Sequence, residues 1–434
     1  MPKKRSPKKG SPPKAPKTVR RKYRTSMRKG KKEFRQYLQG TYDLKQSSAV
    51  VEACTLRSIP AYGSFHIGVI QGPSGSGKST TLAKFKPQMR TAYTWKLDVP
   101  LMEQLGKTPQ EAEAILFAVA LNNIPDWTQS YDRLSTGQKY RADLARTLTK
   151  HKPGTFLVMD EFGSMLDDNS AHAISHRLQR YARRNNISVV LATNRTSLFP
   201  YLRPDWVLNT QKCTYLVQPF RNWPRPKLRL VFTYVEGEER RELWDIFRKY
   251  HYLDHQLVGH AKVFRITCNG QLCAFQASKR HFNPVNMVHA HRTVVLPEFQ
   301  GLGIGTVIHE TMGAYVASQT RWWQEASKPR PRSSRKSPTG GARKKAGWVK
   351  RRGVFSVVTS HTKLAGAHAL DTQNWETKYL ATPHHPNPKV FRTENRIMNS
   401  FHYHGPPMGK KLCNVFDAKV HCPAVTFSRT ITVR

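Results

Sequence analysis

The stretch Gly72-Pro73-Ser74-Gly75-Ser76-Gly77-Lys78-Ser79-Thr80 decides how the first half of the chain is read. It satisfies the phosphate-binding pattern G-x-x-x-x-G-K-[ST] in full, and its flanks supply the context that the pattern needs. Phe65-His66-Ile67-Gly68-Val69-Ile70 is apolar enough for a buried strand, and Thr80 to Phe85 can run on as a helix. Glycines in such a loop let successive backbone N–H groups turn towards phosphate oxygens, and the helix N-terminus adds partial positive charge. Gly72, Ser74, Gly75, Gly77 and Thr80 are therefore expected around the phosphates of ATP. Lys78 would reach the β- and γ-phosphates, and Ser79 would hold Mg²⁺.

Working outward, Pro109 to Asn122 places Ala112, Ile115, Leu116, Val119 and Ala120 near helical spacing. Leu134-Ser135-Thr136-Gly137-Gln138 then precedes a helical run from Arg141 to Leu148. Read alone, Ser135 or Thr136 is an ordinary helix N-cap. Phe156-Leu157-Val158-Met159-Asp160-Glu161 is an apolar strand ending in two carboxylates. That suits Asp160 as an aid to Mg²⁺ and Glu161 as the group that orients and deprotonates an attacking water. Ser164-Met165-Leu166-Asp167 follows, and Ile187 to Ala192 reads as a further strand running into Thr193-Asn194-Arg195.

In this order the segment, roughly residues 40 to 225, resembles the ABC ATPase family through its Walker A, signature, Walker B and D-loop motifs. The resemblance implies a head-to-tail, ATP-dependent homodimer in which Ser135, Gly137 and Gln138 of one copy close on nucleotide held by the other. Thr136 stands where the signature usually has glycine. Asn194 stands where the switch histidine normally follows the last strand; asparagine can hydrogen-bond a phosphate but cannot take up a proton, which points to slow hydrolysis. Gln104 and Gln110 both remain open as the Q-loop glutamine. The span from Lys78 to Ser135, 57 positions, is shorter than in transporter ATPases of the family, so a transporter subunit is the weaker alternative.

A proline-rich joint, Trp223-Pro224-Arg225-Pro226, marks the next boundary. Leu228, Leu230, Phe232 and Tyr234 alternate as on a strand, a helix carries Leu243, Ile246, Phe247 and Tyr250, and Asn269-Gly270 predicts a hairpin turn. A strand over Met287 to Leu296 runs into Pro297-Glu298-Phe299-Gln300-Gly301-Leu302-Gly303-Ile304-Gly305 and a helix to about Ser318. Strand, glycine-rich loop and helix again make an anion cradle. In this setting Gln300, Gly301, Gly303 and Gly305 resemble the pyrophosphate loop of GNAT acyltransferases, which implies acetyl-CoA or another acyl-CoA as cofactor. His289 and His291 on one strand face, Glu298 and Tyr403 are open as proton-transfer groups. Val354 to Ser360 and Arg396 to Gly405 look like the closing strands of that fold.

The tandem arrangement resembles ABC-type ATPases fused to a GNAT-like domain, found in bacteria, archaea, phages and mobile elements. Asp160-Glu161-Phe162-Gly163-Ser164, Leu202-Arg203-Pro204-Asp205-Trp206-Val207, Phe247-Arg248-Lys249-Tyr250-His251-Tyr252-Leu253 and Val294 to Gly305 carry that likeness. A GNAT-like fold also occurs in Mom-type enzymes that modify DNA bases, and this analogy suggests a nucleic-acid acceptor.

Charge bounds the partners. The chain of 434 residues has 72 basic against 28 acidic side chains, net +44. Met1 to Arg35 holds 16 of the basic residues against Glu33, and Lys328 to Arg352 holds 11 with no acid. Outside those two stretches 45 basic residues still face 27 acidic ones, so nucleic acid is the expected partner. No window approaches about 18 consecutive apolar residues, and the N-terminus lacks the apolar core of a secretory signal, so no membrane partner is expected. Cys54, Cys213, Cys268, Cys273, Cys413 and Cys422 show no C-x-x-C spacing, which reads as free thiols in a reducing compartment. The expected location is cytoplasmic or nucleoid-associated, or nuclear in a eukaryotic host.

The expected fold is α/β. A disordered basic tail covers 1–38, a P-loop ABC-type ATPase domain covers 39–225, and a GNAT-like mixed α+β domain covers 226–434 with a basic low-complexity insertion at 327–346. The expected function is ATP binding and hydrolysis coupled to acyl-CoA-dependent transfer, in association with nucleic acid. The alternative is a nucleic-acid clamp of the repair or chromosome type whose GNAT-like domain is non-catalytic.

Overall fold

Regular structure reaches further towards the N-terminus than composition suggests. Lys17–Tyr23 (β1) pairs antiparallel with Ala49–Thr55 (β2), and Lys32–Tyr42 (α1) lies between them in sequence. Both β1 and the start of α1 fall within the stretch expected to be a structureless tail. A strand needs partners for its N–H and C=O groups more than it needs an apolar core, and β2 supplies them. The computed structural model describes residues 17–23, 32–42, 49–56, 58–85, 93–251, 256–280, 287–324, 348–352, 354–359, 371–379, 392–393, 396–397, 399–409, 412, 415–416 and 425–433. The chain separates into two compact units, Met1–Pro226 and Lys227–Arg434.

Unit 1 is built on Ile67–Gln71 (β3), Leu157–Met159 (β4), Val189–Thr193 (β5), Trp206–Asn209 (β6) and Thr214–Val217 (β7). They form one sheet in the order β4-β5-β3-β6-β7, parallel except for β7 at the edge. The helices are Lys78–Leu82 (α2), Pro109–Ala118 (α3), Ile124–Trp127 (α4), Thr136–Lys150 (α5), Asp168–Arg184 (α6) and Phe199–Leu202 (α7). β5 is buried at all five positions, as a strand covered on both faces must be, and its sequence VVLAT has the apolar run this requires.

Gly68 fixes the packing of the sheet centre. It pairs with Trp206 on β6, and a Cβ built on it would lie 2.0 Å from the indole ring. The indole thereby stacks on Phe85 at 6.0 Å and meets Phe65 edge-on at 5.4 Å, in a core completed by Ile70, Val190 and Leu208. The start of β3 is pinned by Asp205, whose Oδ2 accepts from the backbone N–H groups of His66 at 2.8 Å and Ile67 at 2.9 Å.

Cys54 and Cys213 form a disulfide, with Cα atoms 5.3 Å apart, which corrects the expectation of free thiols for this pair. They are 159 positions apart, and such a spacing carries no signal of pairing. Cys268 and Cys273 are free and buried. Cys413 and Cys422 lie outside the described residues.

Unit 2 begins with Lys227–Val235 (β8), Gly237–Phe247 (α8), Lys262–Cys268 (β9), Gln271–Arg280 (β10) and Met287–Val295 (β11). Asn269 and Gly270 have φ of 50° and 90°, the positive values that a two-residue hairpin turn between β9 and β10 requires. Ile304–Ser318 (α9) follows, then the ribbon of Thr320–Gln324 (β12) with Trp348–Arg352 (β13), and Val354–Thr359 (β14). The remaining strands are Trp375–Tyr379 (β15), Arg392–Thr393 (β16), Arg396–Ile397 (β17), Asn399–Tyr403 (β18) and Thr426–Thr432 (β19). Eight strands make one sheet, β15-β18-β14-β11-β10-β9-β8-β19. The pairing of β11 with β14 is parallel and α9 lies in the connection between them, whereas the other neighbours in this sheet are antiparallel. The 327–346 insertion lies outside the described residues.

Gly68→Ala should destabilise the chain by about 1–3 kcal/mol, because the added methyl group must displace a fully packed indole. A lowered denaturant midpoint for the first transition of the full-length protein checks this, and an unchanged midpoint contradicts it.

Candidate functional site

Parallel pairing brings the loops after β3, β4 and β5 to one edge of the sheet. The loop after β3 is the glycine-rich stretch. Gly75 and Gly77 have φ of 75° and 88°, and Gly77 is the residue that caps α2. Left-handed backbone at both positions is open to glycine at no steric cost, and it turns the intervening N–H groups to one side. A Cβ on Gly75 would meet nothing within 4 Å, so the loop leaves room for a bound group there. Lys78 Nζ donates to Pro73 O at 2.7 Å, spanning the loop from its end to its beginning.

The rim of this loop is tied down by a residue the sequence did not mark. Ser76 Oγ lies 2.6 Å from Thr210 Oγ1, and the Thr210 N–H donates to Gln71 O at 2.8 Å. Gly72 is required here as well: a Cβ on it would lie 2.1 Å from Thr210 Oγ1. Thr210 follows β6 with no pattern around it, so only the fold reveals its part.

β4 is shorter than expected and ends at Met159, which leaves Asp160 and Glu161 in the turn beyond it. The Glu161 N–H donates to Asp160 Oδ1 at 2.9 Å, and Glu161 itself has φ 48°. A non-glycine residue in the left-handed region is uncommon and marks a backbone position held by its surroundings. The holding contacts are the Phe162 N–H to Ala192 O at 2.8 Å and Thr193 Oγ1 to Phe162 O at 3.1 Å. Gly72 N donates to Thr193 O at 3.4 Å, so the loops after β3, β4 and β5 are joined through their backbones. Ser79 and Glu161 are exposed and Asp160 is half-buried. A hydroxyl at a helix start and a carboxyl after a strand are donor types that Mg²⁺ takes beside a nucleotide, and Ser79 and Asp160 follow strands that end at the same edge of the sheet.

Asn194 is exposed directly after β5. Its neighbour Arg195 is the larger surprise. Arg195 Nη1 donates to Gly163 O at 2.6 Å and Leu166 O at 2.9 Å, and Nη2 pairs with Asp168. One guanidinium thus locks the 163–168 loop to the end of β5. Met165 in that loop is 60% exposed.

The Leu134–Gln138 stretch caps α5. Ser135 and Gln138 form a reciprocal capping box: the Ser135 N–H donates to Gln138 Oε1 at 2.8 Å and the Gln138 N–H to Ser135 Oγ at 3.4 Å. Gln138 Nε2 then donates to Asp126 Oδ2 at 2.7 Å, so its amide serves the fold, as do the Ser135 N–H and hydroxyl in the capping box. Burial pushes the Asp126 carboxyl above the usual range, opposed by Asn123, Arg141 and Gln138. Gln104 is likewise spent: it accepts from Lys96 N and donates to Lys96 O and Val99 O, each at 2.9 Å. Gln110 is exposed at the start of α3.

Unit 2 repeats the backbone of the first loop. Gly301 and Gly303 have φ of 95° and 86°, and Gly303 caps α9 as Gly77 caps α2. A Cβ on Gly303 would meet nothing within 4 Å. Gln300 Nε2 folds back onto Val295 O at 2.7 Å, and Gly305 approaches Val295 Cγ2. Among the described residues β11 pairs with β14 only over Met287 to His289, so the strands part on the way to this loop.

The proton-transfer candidates of unit 2 divide. A bulge places two residues of β11, His291 and one neighbour, against the Ala277–Ser278 step of β10, so His289 and His291 do not alternate regularly. His291 Nε2 accepts from the Val258 N–H at 3.4 Å. Burial, then Arg292, Lys279, His251 and His260, push its pKa down to about 4, so it is neutral at pH 7. Tyr403 is structural: its hydroxyl donates to Pro406 O at 3.1 Å, and its ring packs where a Cβ on Gly313 would stand 2.4 Å away. Glu298 is half-buried beside the loop.

No protein-family model matches the chain. It is 36% identical over 107 residues to the methionine import ATP-binding protein MetN of Coxiella burnetii, which covers 24% of this chain and 29% of that protein. It is 37% identical over 97 residues to MetN 1 of Lactiplantibacillus plantarum, covering 22% and 26%. The chain therefore spans under a third of the length of these relatives. Solved structures with some likeness are an ATP-binding cassette in a dimeric post-hydrolysis state bound to ADP and Pi (16% identity, TM-score 0.29) and a dimeric bacterial ABC transporter cassette (15%, 0.30). Each covers 38% of this chain and 90% of the other. The curated relatives are ATP-binding proteins, in keeping with the ABC-type resemblance that the motif order carries. Among the described residues no helix is long and apolar enough to cross a membrane.

Arg195→Ala should free the 163–168 loop by about 2 kcal/mol or more, since it removes charge-assisted bonds to two carbonyls. Hydrogen exchange of Ser164 to Asp168 would rise by at least tenfold, and Arg195→Lys would not restore it because one ammonium cannot reproduce the fork. Unchanged exchange in the alanine variant contradicts the lock.

Proposed function

We propose that the chain is an ATP-hydrolysing ABC-type ATPase that closes as a head-to-tail homodimer and couples this to acyl transfer from an acyl-CoA, in association with nucleic acid. The observation that carries the reading is the pair of matched loops. Gly75/Gly77 and Gly301/Gly303 share left-handed backbone, each pair follows a sheet strand, and each ends on the capping glycine of a helix. One loop suits the phosphates of ATP and the other the pyrophosphate of CoA.

Mg²⁺ held by Ser79 and Asp160 would neutralise charge on the transferring phosphoryl group. Lys78 exchanges Pro73 O for phosphate oxygens, and the loop N–H groups fix the γ-phosphorus in place. Glu161 accepts the proton of the attacking water as the bond from γ-phosphorus to the bridging oxygen breaks. Asn194 donates a hydrogen bond to the phosphate but takes no proton, which keeps turnover slow. Ser135 and Gly137 approach from the second copy, and the exposed Met165 is covered when the two 163–168 loops meet.

In unit 2 the N–H groups of Gly301 to Gly305 cradle the pyrophosphate, and β11 beyond His289, where it has no β14 partner among the described residues, offers backbone groups to the pantetheine arm. The acceptor's nucleophile adds to the thioester carbonyl, its proton leaves to a nearby base, and the thiolate departs as CoA. His291, neutral at pH 7, is the candidate base, and it would take that proton at Nε2 by giving up the hydrogen bond from the Val258 N–H.

A second reading is favoured by the printed names of the curated relatives, which are import ATP-binding proteins: the cassette would then energise a transporter. The fused second unit and the basic excess outside the two charge runs support the first reading over it.

With labelled acyl-CoA, MgATP and DNA, RNA or a basic protein as acceptor, the wild-type chain should transfer label and Gly303→Trp should not. No transfer by the wild type to any acceptor, with nucleic-acid binding intact, would replace the transferase with a clamp.

A further inference from the structure

We infer that the C-terminal half of α6, together with Arg203, is a docking surface for the phosphate backbone of duplex nucleic acid. This rests on the nucleic-acid association proposed above and gives it a place in unit 1, in a stretch of sequence outside the two basic runs. Arg177, Arg180 and Arg184 stand at i, i+3 and i+7 and so share one face of α6, about 10 Å from first to last at 1.5 Å per residue.

These guanidiniums act on one another. Burial, then Arg180 and Arg184, bring the pKa of Arg177 down to about 10. Burial, then Arg225 and Arg183, lower that of Arg203. His176, 5% exposed, is pushed down to about 3 by burial and then by Arg180, Arg177 and Arg203. Among the described residues, the charges acting on Arg177, Arg203 and His176 are all guanidiniums. The Nε atoms of Arg177 and Arg203 are buried without a hydrogen-bond partner among the described residues. Arg183 pairs with Asp205 at 3.1 Å, but that carboxylate already serves the start of β3. The Phe220 ring carries Arg183 at 4.4 Å and Arg203 at 4.7 Å, which holds both heads in place.

A structural explanation covers part of this set. Cations in the last turn of a helix favour its dipole, which accounts for Arg183 and Arg184. Arg177 lies about two turns in from the end, beyond the reach of that effect, and it is the more buried. Like charges such as Arg177 and Arg203, each with a buried Nε that has no hydrogen-bond partner among the described residues, cost stability, and a fold retains them where a ligand brings the counter-charge. Arginine forks match phosphate oxygens in pairs, and a row of them along a rigid helix matches a row of phosphates better than it matches one small anion. The same helix is capped by Asp167, in the loop that Arg195 holds, so nucleotide-driven closure of two copies would set the spacing of two such faces.

The test is anisotropy of a labelled mixed-sequence DNA duplex titrated with the full-length chain over a range of salt. Arg177→Gln/Arg180→Gln/Arg184→Gln should weaken binding about tenfold or more at physiological salt and reduce the log–log salt slope by about 2 to 3. Arg180→Glu/Arg184→Glu, which spares the more buried Arg177, should weaken binding in the same direction, with MgATP affinity unchanged as the check on folding. Duplex affinity unchanged in both variants would overturn the inference while leaving the tails as the nucleic-acid site. No duplex binding by the wild type would overturn the inference together with the nucleic-acid reading. Polyglutamate competing as well as duplex per unit charge would assign the face to acidic proteins and overturn it too.

Discussion

Parallel pairing of β3 with β5, and of β5 with β4, is the constraint on which unit 1 depends. Parallel strands end at one edge, so Gln71, Met159 and Thr193 deliver their loops to the same place. The backbone bonds Gly72 to Thr193 and Phe162 to Ala192 then tie those loops directly to one another. Gly68 permits this by letting Trp206 close against β3, and Asp205 holds the register by capping two N–H groups at its start. A site assembled this way is set by the sheet rather than by the loops, and small movements of one loop are felt by the others.

Arg195 extends that logic beyond the sheet. It follows Asn194, the group proposed to bind phosphate, and it grips the carbonyls of Gly163 and Leu166. The loop that would face a second copy is therefore coupled through one side chain to the end of β5. α6 carries the same loop at its start and the arginine face towards its end. Nucleotide, second copy and polyanion are in this account read by one continuous element.

The glycine-rich loop was legible in the sequence because its backbone needs glycines for positive φ at fixed spacing, as at Gly75 and Gly77. The contacts that support it were not legible. Thr210, Arg195 and the Cys54–Cys213 pair lie far in sequence from what they hold, and pairwise tertiary contacts leave no local pattern. Gln138 and Gln104 show the converse, since residues attractive by position prove to be spent on capping and on backbone. The strand at Lys17–Tyr23 was hidden by composition because its partner, β2, could not be recognised from its own residues. In unit 2 the glycine loop was readable for the same reason as the first, whereas β19 pairing with β8 across almost the whole unit was not.

The central claim is that each ATP site is shared by two copies of the chain. Complementation tests it most directly: MgATP hydrolysis is measured for Lys78→Ala alone, for Ser135→Arg alone, and for the two mixed. In a head-to-tail dimer the mixed pair regains one intact site, formed by Lys78 of one protomer with Ser135 of the other, so hydrolysis should reappear on mixing. A mixture as inactive as its components, while the wild type hydrolyses ATP, would contradict the shared site.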